Sequence, residues 1–135
     1  MNILIDTHIA LWATAKSSLL TAKMRDMLVD ENNTVFYSIV SVWETLLKHT
    51  SHPDDFTLTD AEFDSLCDRT GFQFLELKKE HIYAVNTLVY PDDAPEKHKD
   101  PFDRLLMGQA KNEGLMFMTH DHKIRWYEED FIIYV

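Results

Sequence analysis

The chain has 135 residues, a hydrophobic fraction of 45% and a formal net charge of −10. This length suits one ordinary domain spanning 1–135, able to bury roughly two thirds of its extended-chain surface. The acidity argues against a broad basic face for nucleic acid, because phosphate affinity comes mainly from lysine and arginine.

Met1 to Ile5 is a short apolar run that stops at Asp6, the pattern of a buried parallel strand. That aspartate also interrupts the apolar core a secretory signal would continue, and no run reaches the ~20 apolar residues of a membrane span. A cytoplasmic protein is expected. A helix through Leu11 and Trp12 follows. Thr21 can cap a second helix running to about Glu31, with Met24, Met27 and Leu28 at core spacing and Asn32 and Asn33 as its end. Val35 to Ile39 reads as a second strand. Ser41 then opens a helix with Val42, Trp43, Leu46 and Leu47 on its apolar side, and Glu44 lies within it.

His52 to Asp55 is a loop. Thr59 with Glu62 forms a capping-box pattern ahead of Phe63 and Leu66, and Gly71 ends that helix. Cys67, the single cysteine, sits there as a small core residue and excludes both an intrachain disulfide and a cysteine-based zinc cluster. Phe72 to Leu77 alternates as a third strand, Glu80 to Leu88 is a helix, and Pro91 to Lys99 is a polar loop. Asp100 before Pro101 is a strong helix start and Gly114 a good stop. Met116 to Thr119 and Phe131 to Val135 are the last strands, joined by a short helical connection from Lys123 to Glu129.

Strands alternating with helices imply an α/β fold, a three-layer α/β/α sandwich around a central, mainly parallel five-stranded sheet. Ligands of such sheets bind at the carboxyl ends of strands, and both Asp6 and Asp121 fall there. Hydrolysis of a phosphodiester needs an activated water and a partner for developing charge, which one or two Mg²⁺ or Mn²⁺ ions held by several carboxylates can supply. Asp6, Glu44, Asp103 and Asp121 are the candidates. Each alone also has a structural use: Asp6 as a helix cap, Glu44 as the i,i+4 partner of Lys48, Asp103 at a positive helix end and Asp121 in a turn.

The segments ILIDTHIALWA, SVWETLLKH, HKDPFDRLLMGQA and GLMFMTHD resemble, in order and spacing, the successive signature blocks of PIN-domain proteins of the VapC toxin type. The resemblance implies that Asp6, Glu44, Asp103 and Asp121 are catalytic, metal-binding carboxylates. It matches Thr7 and Thr119 to positions whose hydroxyls orient Asp6 or Asp121, and Asp100 to a recurrent acid that caps first and supports the site second. It further implies a metal-dependent endoribonuclease leaving 5′-phosphate and 3′-hydroxyl ends, a homodimer, and inhibition by a cognate antitoxin with a basic segment.

Two departures stand out. The loop from Tyr90 to Lys99 is longer than the usual family connection, and position 122 is His122 rather than a small or acidic residue. Lys48, Lys99 and Arg104 lie near the acids and are candidates for guiding RNA. His8, His120 and His122 suggest zinc, but alternation at a strand end keeps them from sharing one ion. His98 reads as a solvated loop residue, and Trp12, Trp43 and Trp126 as core or dimer-surface residues. Two rivals remain: a catalytically silent PIN-like protein-binding module, and a haloacid-dehalogenase-type phosphatase, which wants a second aspartate where this chain has His8.

Overall fold

The computed structural model describes residues 1–135. The strands are β1 (Asn2–Ile5), β2 (Thr34–Ser38), β3 (Gln73–Leu75), β4 (Met116–Thr119) and β5 (Ile132–Tyr134). The helices are α1 (Thr7–Thr14), α2 (Ala22–Val29), α3 (Ile39–Ser51), α4 (Asp60–Thr70), α5 (Lys79–Val85) and α6 (Pro101–Glu113), with a single 3₁₀ turn at Ile124–Trp126. The sheet order is β3-β2-β1-β4-β5 and every pairing is parallel.

Both faces of this sheet are covered, which explains why β1 is apolar at successive positions rather than alternating. Ile3 and Ile5 pack with Ile9 of α1, Met24 of α2 and Phe63 and Cys67 of α4. Leu4, between them, turns to the other face and joins Leu106 and Met107 of α6, Phe117 and Ile124. The result is the expected three-layer α/β/α sandwich. No helix is long and apolar enough to cross a membrane.

Helix ends follow the local chemistry. Thr21, Thr59 and Asp100 accept from backbone N–H groups at their helix starts, and Gly71 and Gly114 adopt φ of 92° and 68° at the ends of α4 and α6. Helix α3 departs from expectation, because Ser38 rather than Ser41 is its cap and Ile39 is already helical. The Ser38 hydroxyl accepts from Val40 N at 2.9 Å and donates to Gln109 Oε1 at 2.5 Å, so the turn is fixed by a partner on α6. Helix α5 stops at Val85, and residues 86 to 88 continue as tighter turns bonded to Tyr83, Ala84 and Val85. Strand β3 keeps only three of the residues between Phe72 and Leu77.

Candidate metal centre

Strand β1 is central and its neighbours β2 and β4 lead toward opposite edges, so the chain order reverses between β1 and β4. The carboxyl ends flanking such a switch point leave a crevice where the covering helices diverge. The register pairs Ile5 with Met118, and the Asp6 N–H donates to the Met118 carbonyl at 3.0 Å. Asp6 and Thr119 therefore leave the sheet side by side.

Asp6 is held on both oxygens. Oδ1 accepts from Ile9 N at 2.8 Å, capping α1, while Oδ2 accepts from Thr119 Oγ1 at 2.7 Å and His120 N at 3.3 Å. The cap anticipated for Asp6 is real, and it coexists with a place in the crevice. At 2% exposure the carboxylate is desolvated, and burial raises its pKa despite the donors that lower it. A cleft of about 240 Å³ beside it is lined by Asp6, His8, Trp12, His120 and Asp121. The two aspartates at the strand ends thus share one cavity.

Asp103 comes from the first turn of α6, where Asp100 caps and Pro101 starts the helix. Burial first, and then the nearby charges of Asp100 and Asp6, push the Asp103 carboxyl up to about 6 against a lowering hydrogen bond from His98. Asp121 is fixed by two turn bonds: its N–H donates to Thr119 Oγ1 at 3.1 Å and its Oδ1 accepts from Lys123 N at 2.9 Å. One side chain of Asp103, Asp121 and His98 each contributes a donor atom to a group within 4.8 Å of one another. Asp6 and Glu44 stand outside this tight group.

Glu44 lies on α3, one turn after Ser41, whose hydroxyl shares a 2.8 Å hydrogen bond with Thr7 at the start of α1. It is only 7% exposed. Its Oε2 pairs with Lys48 at 3.3 Å, as the i,i+4 spacing suggests, but Oε1 is buried with no hydrogen-bond partner.

The supporting residues divide. Thr119 orients Asp6 through its hydroxyl and anchors Asp121 through its oxygen, whereas Thr7 reaches neither acid and bonds Ser41 instead. Of the basic residues considered for RNA, Lys48 is tied to Glu44 and Arg104 donates to the Tyr127 hydroxyl at 3.1 Å, while Lys99 is exposed. His8 and His120 line the cleft with Asp6 and Asp121, but His120 bonds the Val135 carbonyl and His122 turns away to Glu96 at 3.0 Å, so the three histidines do not form one ligand set.

His98 corrects the sequence reading. It is buried, with Nδ1 2.8 Å from the Tyr127 hydroxyl and Nε2 3.3 Å from Asp103 Oδ2 and 3.9 Å from Asp121 Oδ2. Its place depends on Tyr127, distant in sequence, so a polar local setting concealed it. The only available signal was its position in the HKD block directly before the α6 cap.

The family model of the PIN domain matches residues 3–129. The chain belongs to the PIN domain family. None of the curated proteins matches it. Among solved structures, VapBC2 from Rickettsia felis bound to a promoter DNA fragment is similar with a TM-score of 0.70 at 13% identity, covering 100% of this chain and 99% of that one. A toxin-antitoxin complex from Klebsiella pneumoniae gives 0.59 at 14% identity, covering 97% and 95%. VapBC-1 from nontypeable Haemophilus influenzae gives 0.59 at 13% identity, covering 93% of each chain. At these identities the structures speak for the shared PIN fold.

The donor set of this PIN domain suits a divalent cation. Burial raises the carboxyl pKa of both Asp6 and Asp103, and for Asp103 the nearby charges of Asp100 and Asp6 add to the rise, so a cation here would compensate charge that the protein leaves poorly solvated. The partnerless Glu44 Oε1 is the kind of buried atom that costs free energy unless a cation or water reaches it. Oxygen-rich sites of this type take hard cations such as Mg²⁺ or Mn²⁺.

Proposed function

We propose that this PIN domain is a metal-dependent endoribonuclease, the toxin of a toxin-antitoxin pair. The observation that carries the reading is the convergence of Asp6, Asp103 and Asp121 at the switch point of the sheet, with Glu44 buried on the adjoining helix. Asp6, Glu44, Asp103 and Asp121 would hold one or two Mg²⁺ or Mn²⁺ ions. When bound, such ions supply Lewis-acid stabilisation of phosphate charge and a more acidic water.

The chain's own residues set the geometry. Thr119 Oγ1 and His120 N hold Asp6 Oδ2, and the Ile9 N–H of α1 holds Oδ1, so the carboxylate is fixed in the wall of the crevice. Asp121 lines the same cleft as Asp6 and also lies within 4.8 Å of donor atoms of Asp103 and His98. Lys99 at the rim can attract the RNA backbone, offsetting the repulsion between phosphate and acids. Because lysine and arginine are scarce at the crevice, a partner with a basic segment complements it, which fits an antitoxin.

A homodimer is part of the proposal. Trp43 and Leu77 are exposed and, with Phe102 and Leu105, line an apolar cleft of about 250 Å³ that a second copy can cover. A cytoplasmic location is part of the same proposal.

Membership of the PIN family leaves the phosphatase alternative without support. Purified protein with Mg²⁺ or Mn²⁺ is expected to cleave RNA, and Asp6→Asn is expected to abolish cleavage while the far-ultraviolet circular dichroism is unchanged. Cleavage that survives both Asp6→Asn and chelation contradicts the mechanism. Cation binding without cleavage of any RNA favours the silent binding module.

A further inference from the structure

We propose that His98 Nε2 is itself a metal ligand, joining Asp103 and Asp121, so that the centre favours a first-row transition cation over Mg²⁺. This rests on the proposed divalent-cation site and adds a nitrogen donor that a set of four carboxylates lacks.

The spacing fits. The three donor atoms lie within 4.8 Å of one another, with Nε2 at 3.3 Å from Asp103 Oδ2 and 3.9 Å from Asp121 Oδ2. Donors on adjacent corners of an octahedron of ~2.1 Å radius are about 3 Å apart, and opposed donors about 4 Å. Small side-chain adjustments then place all three around one ion.

The ring is also turned correctly. A histidine ligand needs a partner on its other nitrogen, to which it donates while the ligating nitrogen keeps its lone pair. The Tyr127 hydroxyl, 2.8 Å from Nδ1, is that partner. Arg104 donates to the same hydroxyl at 3.1 Å and holds it in place.

The segment carrying His98 is pinned rather than loose. Tyr90 packs its ring 4.6 Å from that of Tyr127 and its hydroxyl donates to the Glu96 carbonyl. Glu96 in turn holds His122, the neighbour of Asp121, at 3.0 Å. The long loop therefore delivers an imidazole to the acids. Nitrogen donors shift a site away from Mg²⁺, which keeps oxygen ligands, toward transition ions.

The rival is a simple hydrogen bond from His98 to Asp103, and Mn²⁺ alone separates the two. Electron spin echo envelope modulation of Mn²⁺ bound to the intact chain is expected to show nitrogen coupling that changes when the histidines carry ¹⁵N. His98→Gln should remove the coupling, and His8→Gln, His120→Gln and His122→Gln should keep it. Calorimetry should show Mn²⁺ affinity falling more than about tenfold in His98→Gln, with Mg²⁺ affinity changing less than about twofold. Bound Mn²⁺ without nitrogen coupling, or nitrogen coupling surviving His98→Gln, overturns the proposal while leaving the carboxylate centre intact. Absence of Mn²⁺ binding removes both. Should His98→Gln not fold, His98→Asn takes its place: loss of the nitrogen coupling supports the proposal, and coupling that survives it overturns the proposal.

Discussion

Thr119 Oγ1 donates to Asp6 Oδ2 at 2.7 Å, joining residues 113 apart in the chain at the ends of two adjacent strands. The same oxygen accepts from Asp121 N, so one hydroxyl aligns two of the proposed ligands. Thr119→Val leaves a buried carboxylate short of a donor and should cost about 1–3 kcal/mol in urea unfolding. Divalent-cation affinity should fall about tenfold or more, and Thr119→Ser should restore both. Unchanged affinity in the valine variant would mean that Asp6 is not a ligand or needs no such support.

The raised carboxyls make metal-free stability depend on pH with a definite sign. Asp6 and Asp103 bind protons more tightly folded than unfolded, so their contribution is fully present below the ordinary value of 3.8 and lost as pH rises through about 6 for Asp103. For Asp103 the loss is on the order of 3 kcal/mol at about 1.36 kcal/mol per unit. A bound cation compensates the charge that causes it. The rise in Tm on adding Mn²⁺, followed by calorimetry, should therefore be larger near pH 7.5 than near pH 5, and equal rises would contradict this.

Asp103→Asn separates stability from function. Near pH 7.5 the metal-free variant should be as stable as the wild type or more so, because the buried charge is gone. It should also lose RNA cleavage and most of the cation-induced rise in Tm. A variant less stable than wild type at that pH would show that the charge is already compensated.

Away from the centre, Gly108 lets α5 lie against α6. A Cβ there would meet the His81 carbonyl oxygen at 2.5 Å and Val85 Cγ2 at 2.7 Å. Gly108→Ala should cost about 1–3 kcal/mol in urea unfolding. Cation affinity per folded molecule should be unaffected, since Gly108 faces α5 rather than the crevice.

Much of this architecture is legible residue by residue. The apolar run stopping at Asp6 located β1 and its crevice, and Asp100 with Pro101 located the start of α6, because both signals are local and unopposed. The start of α3 is obscured because Ile39 and Val40 are β-branched and extend a strand-like run, while the acceptor that fixes the Ser38 hydroxyl is Gln109, far along the sequence. His98 is obscured for the same reason, since the Tyr127 hydroxyl that its Nδ1 meets is also distant in the sequence. Thr7 carried the composition of a supporting hydroxyl, but Ser41 on α3 claims it.

The central claim is that these carboxylates share a cation, and anomalous diffraction from crystals soaked in Mn²⁺ tests it most directly. A peak within coordination distance of Asp103 and Asp121, on the crevice side of Asp6, is the expected result. At saturating Mn²⁺, no peak there, or a peak only on another surface, would contradict the account.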